Sequence, residues 1–210
     1  LVNDWSVYDN DGDGRIELVC VIFAGYGQNQ GGADSTIWAK ASVKNLKVNN
    51  QLRITRFNCC SELFYPQLPD YINGTGVFIH EFSHCMGLPD LYATTSKAYV
   101  NNQGMETYSI MDYGLYNYHG YAPAAYTAWE QETMGWTEIE ELTETRKGIE
   151  LIPLVKGGKA YKFGNGANSE EWIIVENVQA RDDNNKTPGF RYGHGLLAWH
   201  IAYASNSVNQ

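Results

Sequence analysis

His80 and His84 stand four residues apart, with Glu81 directly after the first. On an α-helix this spacing puts the two imidazoles about 40° apart in azimuth and one turn apart in height. Both then point at one spot, where a zinc ion accepts imidazole nitrogens at about 2.0–2.1 Å. Glu81 falls on the neighbouring face. There it can reach a water at such a metal without occupying the metal, as a hydrolase requires. The same spacing also describes two hydrogen-bonded core histidines on a buried helix. With 5 His in 210 residues, random order places H-E-x-x-H somewhere in fewer than about 1% of chains. Gly87 and Asp90, each three residues further on, narrow the choice. The glycine lets the helix stop and the chain turn back, and Asp90 then offers an oxygen as third ligand. Asp112, His119 and Glu130 compete for that place. Three protein ligands leave a fourth position for water, which marks a catalytic site rather than a structural one.

Two further segments carry chemistry. In Ser109-Ile110-Met111-Asp112-Tyr113-Gly114, a methionine in a tight turn makes an apolar floor beneath metal ligands, although a methionine taken alone is far more often plain core. Tyr113 is placed to reach the metal or a developing oxyanion. Upstream, Asp9, Asp11, Asp13 and Gly14 match positions 1, 3, 5 and 6 of an EF-hand loop. Position 12 is Cys20 instead of Glu, so the loop is not a complete EF-hand, and Glu17 is the nearest replacement carboxylate. The expectation is a structural Ca²⁺ that fastens this loop to the strand after it. A solvated acidic turn is the plainer alternative.

The string H-E-F-S-H-C-M-G-L-P-D-L-Y, His80 to Tyr92, resembles the active-site helix of the immune inhibitor A-like family of secreted zinc metallopeptidases, in the metzincin clan. S-I-M-D-Y-G resembles the clan's Met-turn. Ala125 to Trp136 and the later G-L-L-A-W-H-I (Gly195 to Ile201) extend the similarity over residues 8–203. This chain has Ala202 where relatives often carry an acidic residue. The resemblance implies zinc on His80, His84 and Asp90, with Glu81 as general base and then acid. It implies peptide-bond hydrolysis by a zinc-bound water, a secreted or cell-surface location, protein or peptide substrates, and an N-terminal propeptide absent from this sequence. A non-catalytic, Ca²⁺-stabilised adhesin on the same scaffold is the rival function. Glu81 argues against it, because a silent scaffold has no use for a carboxylate beside two metal-spaced histidines.

These residues need elements to hold them. Ile16 to Ala24 is an apolar run expected as a central strand, and Leu52 to Cys59 as a second. Pro66 and Pro69 suggest a loop. A helix is expected over Val77 to Met86, ended by Gly87, and a second between Pro123 and Gly135. Leu88 to Tyr121 reads as a long functional loop. Beyond it, Glu138 to Glu144 reads as a solvated acidic segment. Strands are expected at Ile149 to Val155, Lys159 to Phe163, Trp172 to Val178 and Leu196 to Tyr203, with Gly157-Gly158 as a hairpin turn. The fold class is thus α+β: a zincin-like catalytic region over 1–137, with a mixed twisted sheet and an active-site helix, followed by a smaller β-rich region over 138–210 packed on it. Cys20, Cys59, Cys60 and Cys85 form no C-x-x-C pair. They are either buried thiols or include a Cys20–Cys59 or Cys20–Cys60 bridge. A net charge of −9 argues against nucleic-acid partners, Lys and Arg show no patch, and no apolar run reaches the ~20 residues of a membrane span.

Overall fold

The computed structural model describes residues 2–94, 104–166, 168–179 and 193–202. Residues 95–103 of the expected loop and Tyr203 of the last expected strand lie outside them. The chain divides into two compact units, Leu1–Gly87 with Tyr118–Tyr121, and Leu88–Asn117 with Ala122–Gln210. Their make-up is α+β.

The first unit is built on a five-stranded mixed sheet. Its strands are β1 (Arg15–Ile16), β2 (Val19–Tyr26), β3 (Lys40–Lys47), β4 (Arg53–Tyr65) and β5 (Leu68–Ile72). β4 is the hub: β1 and β2 pair with it in parallel, β3 and β5 antiparallel. Its middle, Asn58 to Ser61, is buried. The run Ile16 to Ala24 is therefore not the central strand. Among the described residues β2 is hydrogen-bonded to β4 alone, and Val21 and Ile22 are 45% and 66% exposed. Apolar composition alone cannot separate a central strand from an edge, since much protein surface is apolar. β3 is largely exposed, and its alternation is broken by a register shift between Val43 and Leu46. β5 carries Pro69, which an edge strand tolerates because no ladder N–H is needed there.

Helix α1 (Thr75–Cys85) packs against β4 and β3. It starts without a side-chain cap, at Gly74. A Cβ on Gly74 would lie 2.1 Å from the carbonyl carbon of Gly120, so only glycine lets the two backbones cross here. Tyr121 secures the crossing by donating its hydroxyl to the Ile72 carbonyl at 2.8 Å. At the other end, Arg56 on β4 donates to the Cys85 carbonyl at 2.6 Å, satisfying a terminal acceptor with a favourable charge. Gly87 follows at φ +103. The four cysteines are free, with Cys20 exposed and the others buried. Cys20 sits opposite Asn58 in the parallel register, and neither of the alternative bridges is formed.

The second unit contains helix α2 (Ala128–Thr133) and a four-stranded sheet ordered β6-β7-β8-β9. These strands are Glu140–Glu141, Tyr161–Asn165, Asn168–Val178 and Gly195–Ala202. The acidic segment at 138–144 supplies β6, anchored by Ile139 and Leu142, both buried. The strand expected at Ile149 to Val155 does not form. Leu154–Lys156 is a 3₁₀ turn closed by left-handed Gly157, and the Gly158 N–H donates back to the Pro153 carbonyl at 3.1 Å. The Gly-Gly pair thus ends a helical turn and does not join two strands.

Candidate metal centre

α1 carries the two histidines on consecutive turns. His80 is 4% and Glu81 8% exposed, and His84 is half-buried. The Nε2 atoms of His80 and His84 lie 3.1 Å apart, with the rings 82° from coplanar. Two tetrahedral zinc–nitrogen bonds of about 2.0–2.1 Å span about 3.4 Å, so the pair is spaced for one metal ion. The helix ends as Met86 and Gly87 donate to the carbonyls of the last turn, and the chain runs through buried Leu88 to Asp90. One donor atom from each of His80, His84 and Asp90 lies within 4.8 Å of the other two. Two imidazoles and a carboxylate form a donor set that suits zinc.

The other carboxylates are engaged elsewhere. Asp112 accepts backbone N–H groups of Met105, Glu106 and Tyr113 at 2.9, 2.6 and 2.7 Å, so it organises its own loop. Glu130 is fully buried and accepts from Ser109 Oγ at 2.5 Å and from the Thr127 N–H at 2.6 Å. His119 has φ +59 and sits edge-on to Phe64 and Tyr71. Met111 is wholly buried in a turn closed by the Asp112 N–H on the Ser109 carbonyl. Tyr113 is 51% exposed, its ring tilted against Tyr116.

Residues 4–137, almost two thirds of the chain, match the family described as Immune inhibitor A peptidase M6, catalytic domain. The chain belongs to this family. The M6 peptidases are metallopeptidases, which agrees with the donor set of His80, His84 and Asp90. A curated relative, Immune inhibitor A of Bacillus thuringiensis subsp. alesti, is 27% identical over 159 residues, covering 68% of this chain. The chain spans 23% of that relative's length. No helix among the described residues is long and apolar enough to cross a membrane.

In this M6 chain the acidic loop brings together one carboxylate oxygen each from Asp9, Asp11 and Asp13 within 4.8 Å. Each also holds the turn: Asp9 accepts from the Gly14 N–H, Asp11 from Asp13 and Asp13 from Arg15. Glu17 is outside that group and accepts the Asn10 N–H at 2.8 Å.

The buried carboxylates around α2 were not singled out from sequence as structural partners. Thr127 and Glu130 form a reciprocal capping box, and the legible signal was T-x-x-E at the helix start. Glu176 is 3% exposed and accepts from Trp199 Nε1 at 2.6 Å and the Ala128 N–H at 3.3 Å. Burial pushes the Glu130 carboxyl up to about 7 and Asp112 to about 6, against the opposing pull of their hydrogen bonds. Glu176 is raised by the same cause. A carboxyl with a raised folded pKa holds its proton more firmly when folded. Its contribution is complete below the unfolded value and lost as pH rises through the folded one. Stability should therefore fall between about pH 4.5 and 7, by up to about 3 kcal/mol for Glu130 alone. Urea melts of wild type and Glu130→Gln across that range should show a flatter profile for the variant.

Proposed function

We propose that this chain is the catalytic part of a secreted zinc endopeptidase. The observation that carries the reading is the convergence of His80, His84 and Asp90, with buried Glu81 beside the first ligand on the same helix. A zinc ion held there supplies Lewis acidity to a scissile carbonyl and makes water nucleophilic at neutral pH. Glu81 accepts the proton of the attacking water and returns it to the leaving amine. β3 runs antiparallel to β4, has no strand partner on its other edge among the described residues, and packs against α1. These features support it as the strand that lays a peptide out by edge pairing. We assign residues 1–137 to catalysis and 138–210 to a β-rich accessory region. Metal analysis with casein cleavage tests the function. One zinc per chain, loss of cleavage on chelation and recovery with zinc are expected, and a zinc-loaded chain that leaves casein intact would favour the adhesin.

Tyr113 is assigned as donor to the developing oxyanion, since its exposed ring follows Asp112, which fixes its backbone N–H. Tyr113→Phe should lower kcat about 10- to 1,000-fold, with KM and zinc content little changed. A silent variant would remove Tyr113 from catalysis.

The acidic loop is assigned to a structural Ca²⁺. The converging carboxylates support this, as does Asp9 Oδ1, which is buried without a hydrogen-bond partner. Such weak sites fill at extracellular calcium levels. Adding Ca²⁺ at fixed zinc should raise Tm, and the double change Asp9→Ala, Asp11→Ala should abolish the rise. An unchanged wild-type Tm would leave a plain acidic turn.

A further inference from the structure

We propose that Glu130 and Ser109 are positioning residues for Asp90, linking the N-terminus of α2 to the ligand-bearing segment through the methionine turn. This rests on Asp90 being a zinc ligand. The connections lie within the second unit. Both Glu130 oxygens are used: one accepts the Ser109 hydroxyl at 2.5 Å, the other the Thr127 N–H at 2.6 Å. Ser109 Oγ in turn accepts the Met111 N–H at 2.9 Å. The Met111 carbonyl then accepts the N–H of Leu91 at 2.9 Å, the residue directly after Asp90. Glu130, Ser109 and Met111 are all fully buried or nearly so, so no water replaces a lost partner cheaply. A carboxylate buried this deeply is costly to keep, and capping a six-residue helix would need only Thr127. The second oxygen's bond to Ser109 does something a cap does not: it fixes the turn whose carbonyl pins the residue beside the ligand. Partners behind metal ligands commonly cost 10–100-fold in affinity when lost. With several bonds between Glu130 and Asp90, about tenfold is expected.

Two variants separate this from simple capping. Ser109→Ala removes the link and leaves the capping box in place, and Glu130→Gln puts an amide N–H where one of two donors must be met. Both should speed hydrogen exchange at the Leu91 amide about tenfold in metal-free protein, and both should weaken zinc binding about tenfold by chelator competition. Ser109→Thr, which keeps the hydroxyl, should restore both. If Leu91 exchange and zinc affinity stay within twofold of wild type while only Tm falls, the proposal is overturned. Should Glu130→Gln fail to fold, Ser109→Ala decides by itself. A wild-type chain that binds no zinc would end the metallopeptidase reading, and the Leu91 exchange would still judge the linkage.

Discussion

Glu81→Gln should lower kcat/KM by about 10²- to 10⁴-fold, the usual worth of a general acid–base group. Zinc content should stay at one ion per chain. Gln has nearly the shape of Glu and fits a site that leaves Glu81 only 8% exposed. The donors His80, His84 and Asp90 are untouched by the change. What is lost is a group able to take a proton from water and give it back to an amine. Steady-state kinetics on a quenched peptide, with metal analysis on the same sample, make the test. Activity within tenfold of wild type at full zinc occupancy would mean that another group moves the proton.

Asp90→Ala should cost the metal more than 100-fold in affinity, beyond the range for residues that only support ligands. His119→Ala should leave affinity unchanged, because that ring packs on Phe64 and Tyr71. Variants of Asp112 and Glu130 should fall in between, at about tenfold or less, since their oxygens face backbone amides and Ser109. Chelator competition ranks all four. If His119 or Asp112 proves more costly than Asp90, the third ligand has been misassigned.

The donor helix was legible because its information is local. The i, i+4 rule places His80 and His84, and Gly87 marks the stop through one backbone angle. β4 was recognisable in part, from Leu52 to Cys59, but its extension to Tyr65 and its role as hub depend on what pairs with each side. Strand order is a long-range property: β2 reads as central by composition yet, among the described residues, pairs with β4 only. β3 was missed because its polar residues and the shift after Val43 erase the period-2 signal. Gly157-Gly158 misled because Pro153, four residues earlier, sets up a 3₁₀ turn that the same glycine also closes. Glu130 entered as a rival ligand because a carboxylate's partners cannot be read from its type. Its tie to Ser109 spans 21 residues and only the folded chain brings the two together.

The crossing of Gly74 and Gly120 sets an order of events during synthesis. Residues up to 87 contain the whole five-stranded sheet and the donor helix, yet the backbone that meets the helix start arrives only with Gly120 and Tyr121. At about 5–20 residues per second on the ribosome, the 34 residues between 87 and 121 take roughly 2–7 s to appear. Throughout that interval the nascent sheet and helix lack the Gly120–Tyr121 backbone that Gly74 closes on. Completion of the first unit is thus timed by translation of a distant stretch, and a chain truncated before residue 118 carries both histidines on a unit that lacks its last segment.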